Sequence, residues 1–571
     1  MLKGKELLNV IEKEKLSEEF YVPMPKNYEK GKTKYIVIAG VVMSGVGKGI
    51  FASSLAKLLK DAGFNIMPVK IDGYFNVDAG TLNPFRHGEV FVLDDGTECD
   101  MDLGSYERYL DINLSRDNYL TSGKIFSEVL KRERKGFYLG RDVQFIPHVT
   151  GEVKYSLRKL AVEKNADIVL CEIGGTVGDY ENSYLIEAIR ELIYEEGRQN
   201  VCFIAVVYII EPPHLGEQKS KPAQLGLNRL MSLGIQPDFI VCRSRNPLSR
   251  KIKAKISVYG NVPIENVIGL HNFDSVYKVP LMLKEVKADE KVIEILGIKE
   301  KADFNLQQKS LVEWKFFVDK FLNADEKITI AIAGKYTGLR DSYASLLKAI
   351  EHAATHNNLK AEIKWIETTD IEENKIRVEE ALKDVNALIV PGGFGKRGSE
   401  GKIKCIKYAR ENNIPFLGLC FGFQLATVEF ARNVCNLENA NSTELDAKTE
   451  HPVIYILPEQ EEISGLGGTM RLGAYEVIVK ENTIAYKLYK KNKIRERFRH
   501  RYNVNPKYIE ILEKNGLVFS GFAPEKRIMQ ILELPTHRYF IATQFHPEFI
   551  SRPLKPHPLF LGLINAAKQN I

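Results

Sequence analysis

The sequence has no run of about 18 apolar residues, the length a helix needs to cross a bilayer. Its start, MLKGKELLNVIEKEKLSEEF, carries charges throughout and lacks the apolar stretch of a secretion signal. Neither a membrane anchor nor secretion is therefore expected. Cysteine is sparse and unsuitably spaced: Cys99, Cys171, Cys202, Cys242, Cys405, Cys420 and Cys435 form no C-x-x-C pair. An odd number scattered along a long chain argues against a disulfide framework or a structural zinc site, and a reducing cytoplasm fits best. A strong charge bias is missing too, because 80 Lys and Arg against 74 Asp and Glu leave a net charge of only +6. That surplus is too small for nucleic-acid binding over the whole surface, although local basic clusters could hold phosphates. Repeats and low-complexity tracts are also absent.

What is present suits a large globular protein, with 44% hydrophobic residues, 27% charged residues and 42 glycines. A chain of 571 residues exceeds what one growing core accommodates, which predicts two domains. Apolar, β-rich runs at Tyr35 to Ala39, Asp167 to Cys171, Cys202 to Ile209 and Phe239 to Cys242 alternate with helical stretches. Strands apolar on both faces belong in a parallel sheet, so residues 34–300 read as one α/β domain. A second series at Ile328 to Ala333, Ala387 to Val390 and Pro415 to Leu419 marks a second α/β domain over 327–571. Between them, 301–326 reads as a water-exposed helical or irregular connector. Residues 1–33 form an extension, read as a short helix and an extended link.

Gly40 to Gly49 follows the first buried strand and leads into a helical pattern. Backbone N–H groups in such a turn, with the helix dipole, can cradle phosphate oxygens while Lys48 reaches the outer phosphates. The match to G-x-x-x-x-G-K-[ST] is incomplete, with Val42 in place of the first glycine and Gly49 in place of the metal-binding hydroxyl. Another residue must then hold the metal, and Asp102 and Glu172 are candidates, Glu172 at the carboxyl end of a strand. The plainer alternative is that Asp102 caps a helix and Glu172 pairs with a lysine.

Together with Lys70 to Asp78, His87 to Val92, Asp102 to Arg108, Tyr138 to Gly140, Ile146 to Thr150, Glu172 to Asp179, Lys219 to Gln224 and Gly234 to Asp238, these segments resemble the amidoligase domain of CTP synthases. The resemblance runs from about Lys34 to the end of the chain. It implies a P-loop-type parallel-sheet domain in which Ser44, Gly45, Val46, Gly47, Lys48, Gly49 and Lys70 bind phosphates of substrate and ATP, and Asp102 and Glu172 hold Mg2+. It further implies that Ser44, Asp179, Tyr180, Glu181, Lys219, Ser220, Lys221, Pro222, Ala223, Gln224 and Lys255 line the site for UTP and the inhibitor CTP. The alternative for Lys219 and Lys221 is a solvated loop. Met43, Gly45, Gly73 and Ser105 depart from the usual family pattern.

In the second domain, Gly418-Leu419-Cys420-Phe421-Gly422 sits between a strand and a helix at the spacing of a nucleophile elbow. The helix N-terminus favours the thiolate, and flanking glycines permit the tight turn; a buried structural cysteine is the alternative. His546 and Glu548 follow an apolar run, and in an extended segment positions i and i+2 point the same way. They would complete a Cys-His-acid triad, with Pro391 to Gly395 offering backbone N–H groups to an oxyanion. This set resembles a class I glutamine amidotransferase domain, which places Gly393, Phe421, Gly422, Phe423, Gln424, Glu444 and Arg501 at glutamine-binding positions. It also implies activation by GTP, through the loop Lys396 to Lys402, and a homotetramer. The rivals are a synthase amidating a carboxylate on a cofactor and a catalytically idle nucleotide-binding relative.

Overall fold

The computed structural model describes residues 22–214, 216–335, 340–456, 460, 470–524 and 528–569. The short helix expected at the start of the chain falls in 1–21, outside the described residues. Two compact units emerge: residues 1–78 with 116–315, and 79–115 with 316–571.

The first unit is built on a seven-stranded sheet. From one edge its strands are Tyr119–Thr121, Ile66–Asp72, Ile168–Thr176, Lys34–Gly40, Val201–Tyr208, Phe239–Arg243 and Val267–Leu270, all parallel. Helices bury both faces, which is why the strands are apolar without alternation. What remains of the extension is tied down: Tyr28 bonds Tyr35 hydroxyl to hydroxyl at 2.8 Å, Thr33 donates to the Ala166 carbonyl at 2.9 Å, and the Arg158 guanidinium lies 5.5 Å from the Tyr28 ring centre. Burial pushes the Tyr28 hydroxyl well above the ordinary tyrosine range despite the bond to Tyr35.

The connector departs from its sequence reading. It contains a 20-residue helix, Phe304–Asn323, that buries one face instead of lying in water. Gln307 donates to the Leu58 carbonyl at 2.8 Å and to Asp289 at 2.7 Å, while the Trp314 indole donates to the Tyr277 carbonyl at 2.8 Å. The misleading signal was the charge of the outward face, which a helix shares with a solvated link.

The second unit holds a nine-stranded mixed sheet. Its parallel part comprises Lys360–Glu367, Lys327–Gly334, Ala387–Val390, Phe416–Leu419 and Phe540–Thr543. An antiparallel part, Met529–Glu533, Val518–Phe522, Arg471–Val479 and Lys493–His500, extends it. Apolar clusters cover both faces. Residues 79–115 contribute a hairpin, Val90–Val92 with Glu98–Asp100, and the helix Met101–Leu110. This excursion is held by buried charge: Arg497 donates to Glu107 at 2.8 and 3.0 Å and to Asp94 at 2.6 Å, and Arg552 reaches Glu107 at 3.0 Å. Among the described residues no helix is long and apolar enough to cross a membrane.

Candidate active sites

In the second unit the strand Phe416–Leu419 ends at Cys420, from which the helix Phe421–Asn433 begins. Cys420 sits at φ 51°, a region an L-residue occupies at a strain of order 1–3 kcal/mol and one that recurs at functional turns. The glycines make the turn possible. A methyl at Gly422 would stand 2.2 Å from the Val390 carbonyl oxygen, and one at Gly418 would stand 2.8 Å from Ala542 Cβ.

The thiol points at the Arg499 carbonyl, 3.5 Å away, and accepts from the Gln544 side-chain amide at 3.6 Å. His546 Nδ1 meets Glu548 Oε1 at 2.7 Å, which fixes the ring and leaves Nε2 without a partner among the described residues. The pair closes by a different geometry from the one expected, since Glu548 lies in a 3-10 turn, Pro547–Ile550, and not in an extended segment. The His546 ring is also stacked on Phe549 at 5.0 Å. Burial alone would lower the His546 pKa, but the Glu548 carboxylate and the Cys420 sulfur outweigh it and raise the imidazole to about 10. The arrangement therefore places a protonated imidazole beside the Cys420 sulfur, the pairing by which a histidine activates a cysteine toward a carbonyl.

Cys420, His546 and Glu548 open on a cavity of about 620 Å³ whose wall also includes Gly393, Glu444, Arg501 and Tyr502. Glu444 accepts the Gly395 N–H at 2.7 Å, and burial raises its pKa against the pull of that bond and of Lys335. A carboxylate and a guanidinium on one wall suit the amino and carboxylate ends of an amino acid. Gln424 lies behind the wall, donating to the Tyr502 carbonyl at 3.1 Å, while Phe423 is fully buried. Of the glutamine-site candidates, Gly393, Glu444 and Arg501 thus line the cavity, whereas Phe421, Gly422, Phe423 and Gln424 do not. Sequence reasoning gave no role to Gln544, which touches the sulfur, or to Glu89, which lines the cavity. Glu89 accepts the Ser345 N–H at 2.9 Å, and burial lifts its pKa to about 7. The HGEV segment was a signal that could have found it.

The loop proposed for GTP is anchored by Glu372, which accepts the Gly398 N–H at 2.7 Å and the Glu400 N–H at 3.2 Å. Lys396 and Arg397 face solvent, whereas Lys402 turns inward.

In the first unit the loop from Gly40 to Lys48 joins a strand to the helix Lys48–Asp61, with Gly45 at φ 70° and Gly47 at φ 79°. Such positive φ values aim successive N–H groups into one concavity. Met43 is exposed, and nothing lies within 4 Å of the position where a side chain at Gly45 would begin. Lys48 folds over Gly40 and donates to the Gly175 carbonyl at 2.8 Å. Lys70 and Glu172 form a buried ion pair at 3.1 Å; Glu172 lies in the middle of the strand Ile168–Thr176 and not at its carboxyl end as expected, because the strand runs on past Cys171. Asp102 stands in the first turn of its helix in the second unit, and Asp100, not Asp102, provides the cap by accepting the Asp102 N–H at 2.8 Å. Among the described residues no three His, Cys, Asp or Glu side chains gather in a way that could hold a metal.

A second cavity of about 450 Å³ in this unit is lined by Lys219, Ser220, Lys221, Gln224 and Lys255, with Lys251 and Tyr259 added. Pro222 and Ala223 only start the helix Lys221–Ser232 that presents these side chains. The turn Asp179, Tyr180, Glu181 does not line this cavity. Asp179 closes its own turn by accepting the Thr176 N–H at 2.7 Å and the Thr176 hydroxyl at 2.8 Å, and Tyr180 is 94% exposed. Gly73 packs against that turn, for a Cβ there would fall 2.3 Å from Asn182 Oδ1.

A parallel-sheet unit with a phosphate loop, joined to a unit with a nucleophile elbow and a Cys-His-Glu triad, defines a glutamine-dependent amidoligase. Residues 34–298 match the model for the CTP synthase N-terminus, and residues 339–566 match that for class I glutamine amidotransferases. The CTP synthase of Pyrococcus abyssi is 52% identical over 538 residues, 94% of this chain and 98% of that protein. That of Caldanaerobacter subterraneus is 49% identical over 533 residues, covering 93% and 98%. Among solved structures, the glutaminase domain of Trypanosoma brucei CTPS with bound acivicin is 37% identical, covers 42% of this chain and 94% of that one, and has a TM-score of 0.40. The chain belongs to the CTP synthase family, whose members are glutamine-hydrolysing ligases.

Proposed function

We propose that this chain converts UTP to CTP, with ATP activating the pyrimidine and glutamine, or free ammonia, supplying the nitrogen. In the second unit, His546 accepts the Cys420 proton and the thiolate attacks the glutamine amide, with Glu444 and Arg501 holding the amino acid's ends. The tetrahedral oxygen takes its hydrogen bonds from backbone N–H groups at Gly393 and Phe421. Protonated His546 then delivers a proton to the departing ammonia, and water releases glutamate from the thioester.

In the first unit, the UTP 4-oxygen attacks the ATP γ-phosphorus, the bond to ADP breaks, and ammonia displaces phosphate from the 4-phosphorylated ring. Lys48, Lys70 and the N–H groups from Ser44 to Gly49 are assigned to ATP phosphates. Lys219, Lys221 and Lys255 are assigned to the triphosphate of the pyrimidine nucleotide, UTP or the inhibitor CTP, and Asp179 to Glu181 to the nucleotide site apart from the triphosphate. Mg2+ would shield the transferring phosphoryl charge, with Glu172 as the carboxylate of this unit assigned to it. The buried Glu172 suits that part, since a hard carboxylate oxygen beside phosphate-binding lysines is the donor such an ion takes. GTP is proposed as activator at Lys396 and Arg397. A homotetramer is proposed, and the aromatic patch around Phe126, where Phe75 and Phe145 stand 68% and 60% exposed, suits a face covered on association.

The observation that carries the reading is the meeting of Cys420, His546, Glu548, Glu444 and Arg501 at one cavity. The test supplies UTP, ATP, Mg2+ and GTP with either glutamine or ammonium to the parent and to Cys420→Ala. Both nitrogen sources should yield CTP in the parent and only ammonium in the variant. A parent that makes no CTP from either source would refute the assignment.

A further inference from the structure

Lys402 occupies the first turn of the helix Ser399–Glu411, which follows the glycine-rich loop, and is only 2% exposed. Its ammonium makes no hydrogen bond and pairs with no carboxylate among the described residues. On one side it lies 5.1 Å from the centre of the Phe421 ring, the residue directly after the nucleophile. On the other it comes within 3.8 Å of the point where a side chain at Gly393 would begin. A buried ammonium without an anionic partner is strongly unfavourable, and one aromatic face returns only part of the loss. Methionine would fill the same unbranched space with no electrostatic penalty. The amine therefore answers a need other than packing, and both neighbours, Phe421 and Gly393, border the place where negative charge forms when a thiolate attacks an amide.

We propose that Lys402 is an electrostatic positioning residue for glutamine hydrolysis, lying behind the oxyanion loop and favouring the Cys420 thiolate and the oxyanion at Gly393. This inference rests on the glutaminase reading of Cys420. The charged and titratable groups facing the amine are Lys335, Glu367, Cys405 and Cys420. Burial and then Lys335 lower its pKa to about 7, while Glu367, Cys405 and Cys420 oppose them. The resting amine is thus partly charged at neutral pH, and an anion forming nearby draws the proton on. That electrostatic link costs no reorganisation, because the helix and the Phe421 ring already hold the chain in place.

The test uses the full-length protein and Lys402→Met, with Cys420→Ala as the blank for alkylation of the other cysteines. Five quantities are read: kcat and KM for glutamine hydrolysis, the pH midpoint for alkylation of Cys420 by iodoacetamide, ammonium-dependent CTP formation, and the melting temperature. Lys402→Met should lower kcat roughly tenfold to a hundredfold with little change in KM, and raise the alkylation midpoint by about one pH unit. Ammonium-dependent activity and melting temperature should hold. An unchanged midpoint and kcat overturns the proposal, and so does a joint fall of hydrolysis, ammonium-dependent activity and melting temperature, which would mark a packing role. If Cys420→Ala itself hydrolyses glutamine, the glutaminase reading fails and this inference fails with it.

Discussion

Replacing Gly422 by alanine tests the elbow with a single methyl group. The new carbon would lie 2.2 Å from the Val390 carbonyl oxygen and 3.1 Å from its carbon, against about 3.5 Å for an ordinary contact. Neither partner yields easily. Val390 ends a strand whose neighbours pair on both sides, and Gly422 opens a helix whose first eleven residues are all buried. Relief requires a displacement of about 1 Å, and the turn that carries Cys420 is where it falls. A shift of that size between nucleophile, base and oxyanion site costs on the order of a hundredfold in rate, and overpacking costs about 1–3 kcal/mol in stability. Glutamate release should therefore fall about a hundredfold in Gly422→Ala, while ammonium-dependent CTP formation in the same preparation stays near parental. Glutamine hydrolysis within twofold of the parent would refute the argument that the elbow's geometry requires glycine here.

Two further outcomes follow from the buried charges. His546 has a folded pKa raised from 6.5 to about 10, so its protonation contributes stability that is full below about 6.5 and is lost as pH rises through about 10; in Glu548→Gln the melting temperature should fall less over that window than in the parent, and equal slopes would show that the carboxylate does not hold the proton. Arg497→Met weakens the hold on Asp94, which keeps Asn113 and Arg495, and on Glu107, which keeps Arg552 and the Leu114 N–H, and should destabilise the first denaturant transition by about 3 kcal/mol; a loss below about 1 kcal/mol would show that the network is idle.

Local signals were legible where the chain keeps its chemistry in short stretches. The strand, glycine, cysteine, glycine, helix order predicts the elbow, and the lysines from 219 to 255 meet in one cavity because a helix start and a neighbouring helix both aim inward. Illegible were pairings made by partners hundreds of residues apart. Nothing near Glu98 announces that Arg499 will donate to it at 2.8 Å, nor near Lys70 that Glu172 is its partner. The buried face of Phe304–Asn323 was hidden for a related reason: its Gln307 and Trp314 are polar enough for a linker until their backbone acceptors are known. The turn at Asp179 is a local pairing by contrast, its carboxylate accepting the N–H and the hydroxyl of Thr176 three residues away.

The excursion 79–115 changes how the glutaminase site is understood. By sequence it lies inside the segment matching the CTP synthase N-terminus, yet it packs within the second unit and supplies Gly80, Thr81, Leu82, Glu89 and Val90 to the wall of the thiol's cavity. Glu98 on its hairpin holds Arg499, whose carbonyl faces the Cys420 sulfur and whose guanidinium lies 5.4 Å from the Phe394 ring in the oxyanion loop. One buried carboxylate thus steadies both the strand beside Cys420 and the loop proposed to receive the developing charge. The Cys-His-Glu triad can be recognised from residues 339–566 alone, but the walls that exclude water from it cannot, and a fragment with only those residues would keep the nucleophile while leaving Arg497 and Arg499 without their buried carboxylates. Unpaired charge next to the thiol weakens the same low-dielectric electrostatics on which the His546 imidazolium depends. The excursion is accordingly part of the glutaminase machinery, and the boundary between the two matched families is not the boundary of the catalytic unit.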